Sequence, residues 1–90
     1  MRGRLKRQYA AATALVENYR DSKPTSREGS GLDRETWEAG IRMLESSGCI
    51  RKDQRRYIFL MSPEECLRRI GAAMQVAKVR VDLGMAPTFL

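Results

Sequence analysis

Apolar residues recur along this chain at helical spacing in three stretches and form a short β-rich run in a fourth. Leu5, Tyr9, Ala12, Val16 and Tyr19 stand four, three, four and three residues apart, a continuous stripe on a first helix. The run AAATALVENYR has strong helix propensity, and Asp21-Ser22-Lys23-Pro24 ends it. Trp37, Ile41 and Leu44 repeat at i, i+4 and i+7 on a later helix, with Asp33 as its N-cap. Gly48, just after Ser46-Ser47, stands where a left-handed C-terminal cap is wanted. Ile50 then opens a strand, Asp53-Gln54 is the expected turn, and Tyr57-Ile58-Phe59-Leu60 is β-rich enough to be the return strand.

The last helix is marked most fully. Ser62-Pro63-Glu64-Glu65 supplies an N-cap serine, proline at the first helical position and a glutamate three residues after the cap. Gly84 and Pro87 place its end near Leu83. Inside it Leu67, Ile70, Met74, Ala77 and Val81 repeat by three and four, a heptad seam over two to three heptads. Ala73, Val76, Val79 and Leu83 add a second stripe. A helix apolar on two sides must be covered twice. One cover is the first helix, and the other is most simply the same helix of a second chain. Full burial of the helix in a monomer is the other solution. In the dimer, Leu67, Ile70, Met74, Ala77 and Val81 are the expected contact residues. Met85 to Leu90, apolar and broken by proline, reads as a tail that docks on the core or the partner.

Thr25 and Glu28 have capping-box spacing, which predicts one short helical turn, broken by Gly29-Ser30-Gly31. That Gly-Ser-Gly is not a phosphate-binding loop, since it lacks the flanking strand, the spacing and the lysine. The chain is therefore expected to be α+β and mostly helical, with a two-stranded hairpin and a long C-terminal helix. Residues 1–61 form the expected domain, 62–84 the last helix and 85–90 the tail.

Ninety residues with 42% hydrophobic content suffice for one modest core. Seventeen basic against eleven acidic residues give a net charge of +6, which favours polyanionic partners. No run approaches a membrane span, and Tyr9 to Val16 is too short and interrupted for a signal peptide or anchor. Cys49 and Cys66 lie 17 apart with no histidine and no CxxC in the chain, so no metal site is expected. Both sit among apolar neighbours, as buried thiols of a cytoplasmic protein or, less simply, as a redox pair. Without histidine, without a base beside either cysteine and without a nucleophile elbow, neither an enzyme nor a cofactor is expected. Glu64-Glu65 and Asp33/Glu35 are helix-start carboxylates.

The strings TSRE, GLDRET and LESSGCI, followed by the hairpin, resemble winged helix-turn-helix DNA-binding regulators, MarR- and PadR-like in general pattern. The likeness covers roughly Pro24 to Leu60. It implies that TSRE opens the second helix, that GLDRET forms the turn and start of a recognition helix, and that the hairpin is a wing. The sequence departs from the pattern in two places: about four residues that complete the second helix are missing between Glu28 and Gly31, and Trp37 replaces a smaller β-branched residue.

The resemblance places Arg34, Thr36, Glu38, Ala39 and Arg42 on the face that enters a major groove, with Arg27 beside them. Arg34 and Arg42 would contact guanine edges or phosphates, Thr36 a phosphate or thymine methyl, and Glu38 a cytosine amino group. From Asp33 to Glu45 this helix also carries four acids against two arginines, so pairs such as Glu38–Arg42 and Glu35–Arg34 on a solvated face are the plainer reading. In the wing, Arg51, Lys52, Arg55 and Arg56 put four cations in six residues, suited to a DNA backbone or minor groove. A solvated tip whose charges discourage edge pairing explains them too. Arg2, Arg4, Lys6 and Arg7 are either a solvated start or an arm lying along phosphates. The function implied is a small dimeric transcriptional regulator on double-stranded DNA; the alternative is a winged helix that binds a protein in a larger assembly.

Overall fold

The structure, a computed structural model, describes residues 2–84. Their order is α1 (Arg2–Arg20), α2 (Arg27–Ser30), α3 (Arg34–Ser46), β1 (Ile50–Asp53), β2 (Arg56–Phe59) and α4 (Pro63–Asp82). The chain is thus mostly helical, with one two-stranded antiparallel sheet, and belongs to the α+β class. The Val81 side chain and the expected docking tail, residues 85–90, lie outside the described residues.

Helix α1 packs against both α3 and α4. Of its stripe, Leu5, Ala12 and Val16 are buried and Tyr9 packs partly buried against the core; Leu15, outside the stripe, is buried as well. Tyr19 closes the stripe: its ring stacks on Phe59 with centroids 3.9 Å apart, and its hydroxyl donates to the Met61 carbonyl at 3.1 Å. The helix ends in a Schellman cap, with Lys23 N–H on the Asn18 carbonyl (2.7 Å) and Ser22 N–H on that of Tyr19 (3.0 Å). Ser22 takes the left-handed position at φ 60° that glycine usually fills.

Helix α2 is the single turn expected, shifted by one residue. Its N-cap is Ser26, whose Oγ accepts from Gly29 N–H at 3.1 Å, not Thr25. Gly29 and Ser30 belong to the turn, because Ser30 Oγ donates to the Arg27 carbonyl; the break comes at Gly31, φ 74°. Asp33 caps α3 by accepting from the Thr36 amide at 3.4 Å and from the Thr36 hydroxyl. Those bonds, the hydroxyl first, hold the Asp33 carboxyl below its ordinary pKa. Gly40, Ile41, Met43 and Leu44 form the buried face of α3. Gly48 (φ 73°) ends it in a second Schellman cap, with Cys49 N–H on the Leu44 carbonyl at 2.9 Å.

In the hairpin Ile50 pairs with Phe59 and Asp53 with Arg56. The two-residue loop is therefore Gln54-Arg55, one position later than Asp53-Gln54. Only a residue at positive φ lets so tight a loop follow the strand twist, and Gln54 takes it at φ 59°. The root of the hairpin is anchored by buried Ile50, by the Phe59–Tyr19 stack and by Leu60 N–H on the Cys49 carbonyl at 2.9 Å.

Helix α4 starts as expected, with Glu65 N–H on Ser62 Oγ at 3.3 Å. Hydrogen bonds from Arg68, then Arg69, hold the Glu65 carboxyl down to about 2. The expected dimer seam is corrected here. Ile70, Met74 and Ala77 are buried in the chain's own core and Leu67 packs against it, because α1 takes this stripe. The other stripe splits: Ala73 packs against the core, whereas Val76, Val79 and Leu83 face solvent, 53%, 56% and 71% exposed. Both cysteines are buried free thiols. Cys49 Sγ donates to the Cys66 carbonyl at 3.8 Å, and burial, followed by the nearby Cys66, pushes the Cys49 thiol up to about 12. A thiol so held is a poor nucleophile. Among the described residues no helix is long and apolar enough to cross a membrane.

Candidate nucleic-acid interface

The outward face of α3 carries Arg34, Glu35, Glu38, Arg42 and Glu45, all exposed, with Thr36 and Ala39 half-buried at its margin. On one flank lie the first turns of α1. The expected N-terminal arm is instead helical from Arg2, which fixes Arg4 and Arg7 one turn apart at the wall of a groove. This groove, about 320 Å³, brings Arg4, Arg7 and Gln8 together with Thr36, Ala39 and Arg42 of α3. Glu35 and Glu38 also line it, so the groove is of mixed sign. Lys6 is exposed and does not line it.

On the other flank stands the hairpin. Trp37 of α3 meets Tyr57 of β2 edge-on, with ring centroids 5.9 Å apart and planes at 68°, and its Nε1–H donates to the Thr25 carbonyl at 2.7 Å. The contact ties the hairpin to α3 and to the entry of α2. Burial, then the Glu45 and Glu38 carboxylates on α3, raise the Tyr57 pKa.

The ion pairs separate the arginines into two groups. Arg34 binds Glu38 at 3.1 Å, in place of the expected Glu38–Arg42 and Glu35–Arg34 pairs, and Arg27 binds Glu28 at 3.5 Å. Arg20, Arg68 and Arg69 are likewise paired to glutamates. By contrast Arg4, Lys6, Arg7, Arg42, Arg51, Lys52, Arg55 and Arg56 are exposed and make no ion pair among the described residues. Thr36 spends its hydroxyl proton on Asp33.

Sequence reasoning missed Gln8, 2% exposed, although it stands three after Leu5 and four before Ala12 in the buried stripe. It also missed Gly40, where a β-carbon would meet the Ala11 backbone of α1 at 3.0 Å. Set against models of protein families, curated proteins and solved structures, the chain matches none.

Proposed function

We propose that this chain binds double-stranded DNA in the manner of a winged helix-turn-helix protein, with α3 laid against a groove and the hairpin as its wing. The observation that carries the reading is the hairpin. Arg51, Lys52, Arg55 and Arg56 are exposed and unpaired among the described residues, on a ribbon rooted in the core. A cation without a carboxylate partner is free to replace counter-ions along a phosphate backbone. Arg4, Arg7 and Arg42 extend the same supply of charge to the opposite flank of α3. Glu35, Glu38 and Glu45 repel a duplex and Arg34 is tied to Glu38, so base reading is weak and phosphate contacts supply the affinity. The hairpin alone, at four phosphates and about 0.9 each, gives a slope of about −3.6 in log affinity against log salt. Gel shifts of random duplex across a salt series measure it, and no shift at low salt overturns the proposal.

A second copy completes the reading as a dimeric regulator. The residues for it are the outer stripe of α4, where Ala72, Val76, Val79 and Leu83 stand four, three and four apart, the repeat of a two-stranded coil. Mass in solution at high micromolar concentration is expected to be that of a dimer. A monomeric mass there removes the second copy and favours the other reading of the stripe, a module that docks a different protein.

A further inference from the structure

Between the entry of α2, the first turn of α3 and the hairpin tip lies a second cavity, of about 300 Å³. Its walls join three guanidinium groups, Arg27, Arg55 and Arg56, to two aromatic rings, Trp37 and Tyr57. Glu28, paired to Arg27 at 3.5 Å, is the one carboxylate in the lining, so the cavity carries an excess of two positive charges. That excess balances a phosphate monoester. Guanidinium forks match phosphate oxygens, and they also lie flat on aromatic planes. The rings are held in place, the indole by its bond to the Thr25 carbonyl at 2.7 Å, and both are half-buried. In their T-shaped contact one ring offers only its edge, which leaves its faces unused by the pair.

We propose that this cavity binds a nucleoside monophosphate, with the phosphate on Arg55 and Arg56 and the base against the Trp37–Tyr57 corner. At about 300 Å³ it stands at the lower end of small-molecule sites, room for one nucleotide and not for a stacked pair. Phosphate alone leaves the rings unused, and an uncharged base leaves the cations unbalanced. A free nucleotide and the unpaired terminal nucleotide of a strand share this chemistry. The inference does not rest on duplex binding, but it shares Arg55 and Arg56 with it, so occupation withdraws half of the hairpin's cations from a backbone.

Trp37 is the only tryptophan of the chain, so its emission reports on the cavity directly. Titration of the full chain with adenosine 5′-monophosphate is expected to change that emission saturably, with equilibrium dialysis giving the same affinity independently. Arg55→Gln and Arg56→Gln each weaken binding about tenfold or more, the loss of a charge-assisted hydrogen bond. Lys78→Gln, a remote exposed cation, leaves it unchanged, and circular dichroism checks that every variant is folded. A 5′-phosphorylated duplex with a one-nucleotide overhang, compared with its blunt counterpart, separates the two sources. Preference for the overhang without binding of the free nucleotide assigns the strand end. Binding of inorganic phosphate, adenosine or benzoate as tight as that of the nucleotide overturns the proposal. So does wild-type affinity in both arginine variants, or failure of both nucleotide and overhang. Blunt-duplex binding is read in the same series, so loss of this site and loss of the duplex reading are told apart.

Discussion

Replacing Arg51, Lys52, Arg55 and Arg56 together with glutamine is expected to flatten the salt dependence of the proposed duplex binding by about 3.6 units of slope. The size follows from counter-ion release. Each phosphate neutralised contributes about 0.9 to the slope, and the four side chains have no carboxylate partner among the described residues to lose first. Between 50 and 200 mM salt, a slope of that size corresponds to a loss of roughly 150-fold in affinity that the variant no longer shows. The fold itself has little stake in these residues. All four are exposed, so each substitution should change stability by no more than about 0.5 kcal/mol in a denaturation series. Glutamine keeps a long polar stem, and the inner contacts of the ribbon through Ile50, Tyr57 and Phe59 are untouched. Gel shifts of the variant beside Arg68→Gln/Lys78→Gln, which changes cations far from the hairpin, separate local contact from net charge. An unchanged slope in the fourfold variant means that the phosphates lie elsewhere.

The elements were legible where a local rule decides them. Asp33, Gly48 and Ser62 are caps in the sequence and in the structure, because a cap satisfies backbone groups within three or four residues and needs no distant partner. The hairpin was legible for a similar reason, but its loop was not: neither Asp53-Gln54 nor Gln54-Arg55 contains the glycine that would fix a turn. Thr25 and Ser26 both carry a capping hydroxyl, and the structure uses Ser26, whose Oγ accepts the Gly29 amide.

The site was less legible than the fold, and α4 shows why. Two apolar stripes on one helix have the same periodicity, and nothing local says which of them faces the chain's own core. Contact with α1 decides it, burying Ile70, Met74 and Ala77 and leaving Val76 and Val79 bare. The cations of α3 pose the same problem. Glu38 stands four residues from both Arg34 and Arg42, and its choice of Arg34 leaves Arg42 to the groove with Arg4 and Arg7. Sequence names the charges; only the folded arrangement says which are already spent.

Gly40→Val is expected to lower stability by about 3 kcal/mol, roughly 150-fold in the folding equilibrium, at the upper end of overpacking costs. A β-carbon at this position meets the Ala11 carbonyl carbon at 3.0 Å, Leu15 Cδ1 at 3.0 Å and Ala11 Cβ at 3.1 Å. One of these is backbone, and α1 is also packed against α4 in the same core, which limits how far it can shift. Gly40→Ala meets the same wall with less bulk. Helix propensity returns up to about 1 kcal/mol, so a net loss of about 1 kcal/mol is expected. Gly71 is the internal contrast: it too is helical, but its β-carbon would have nothing within 4 Å. Gly71→Ala should therefore gain up to about 1 kcal/mol. Urea denaturation of the three variants tests the pair of signs, and equal stability of Gly40→Val and Gly71→Ala would sink the close approach of α1 to α3. The same wedge reaches the surface. Whatever separates α1 from α3 also carries Arg4 and Arg7 away from Arg42, so any Gly40→Val chain that still folds should bind duplex less well without having lost a single charge.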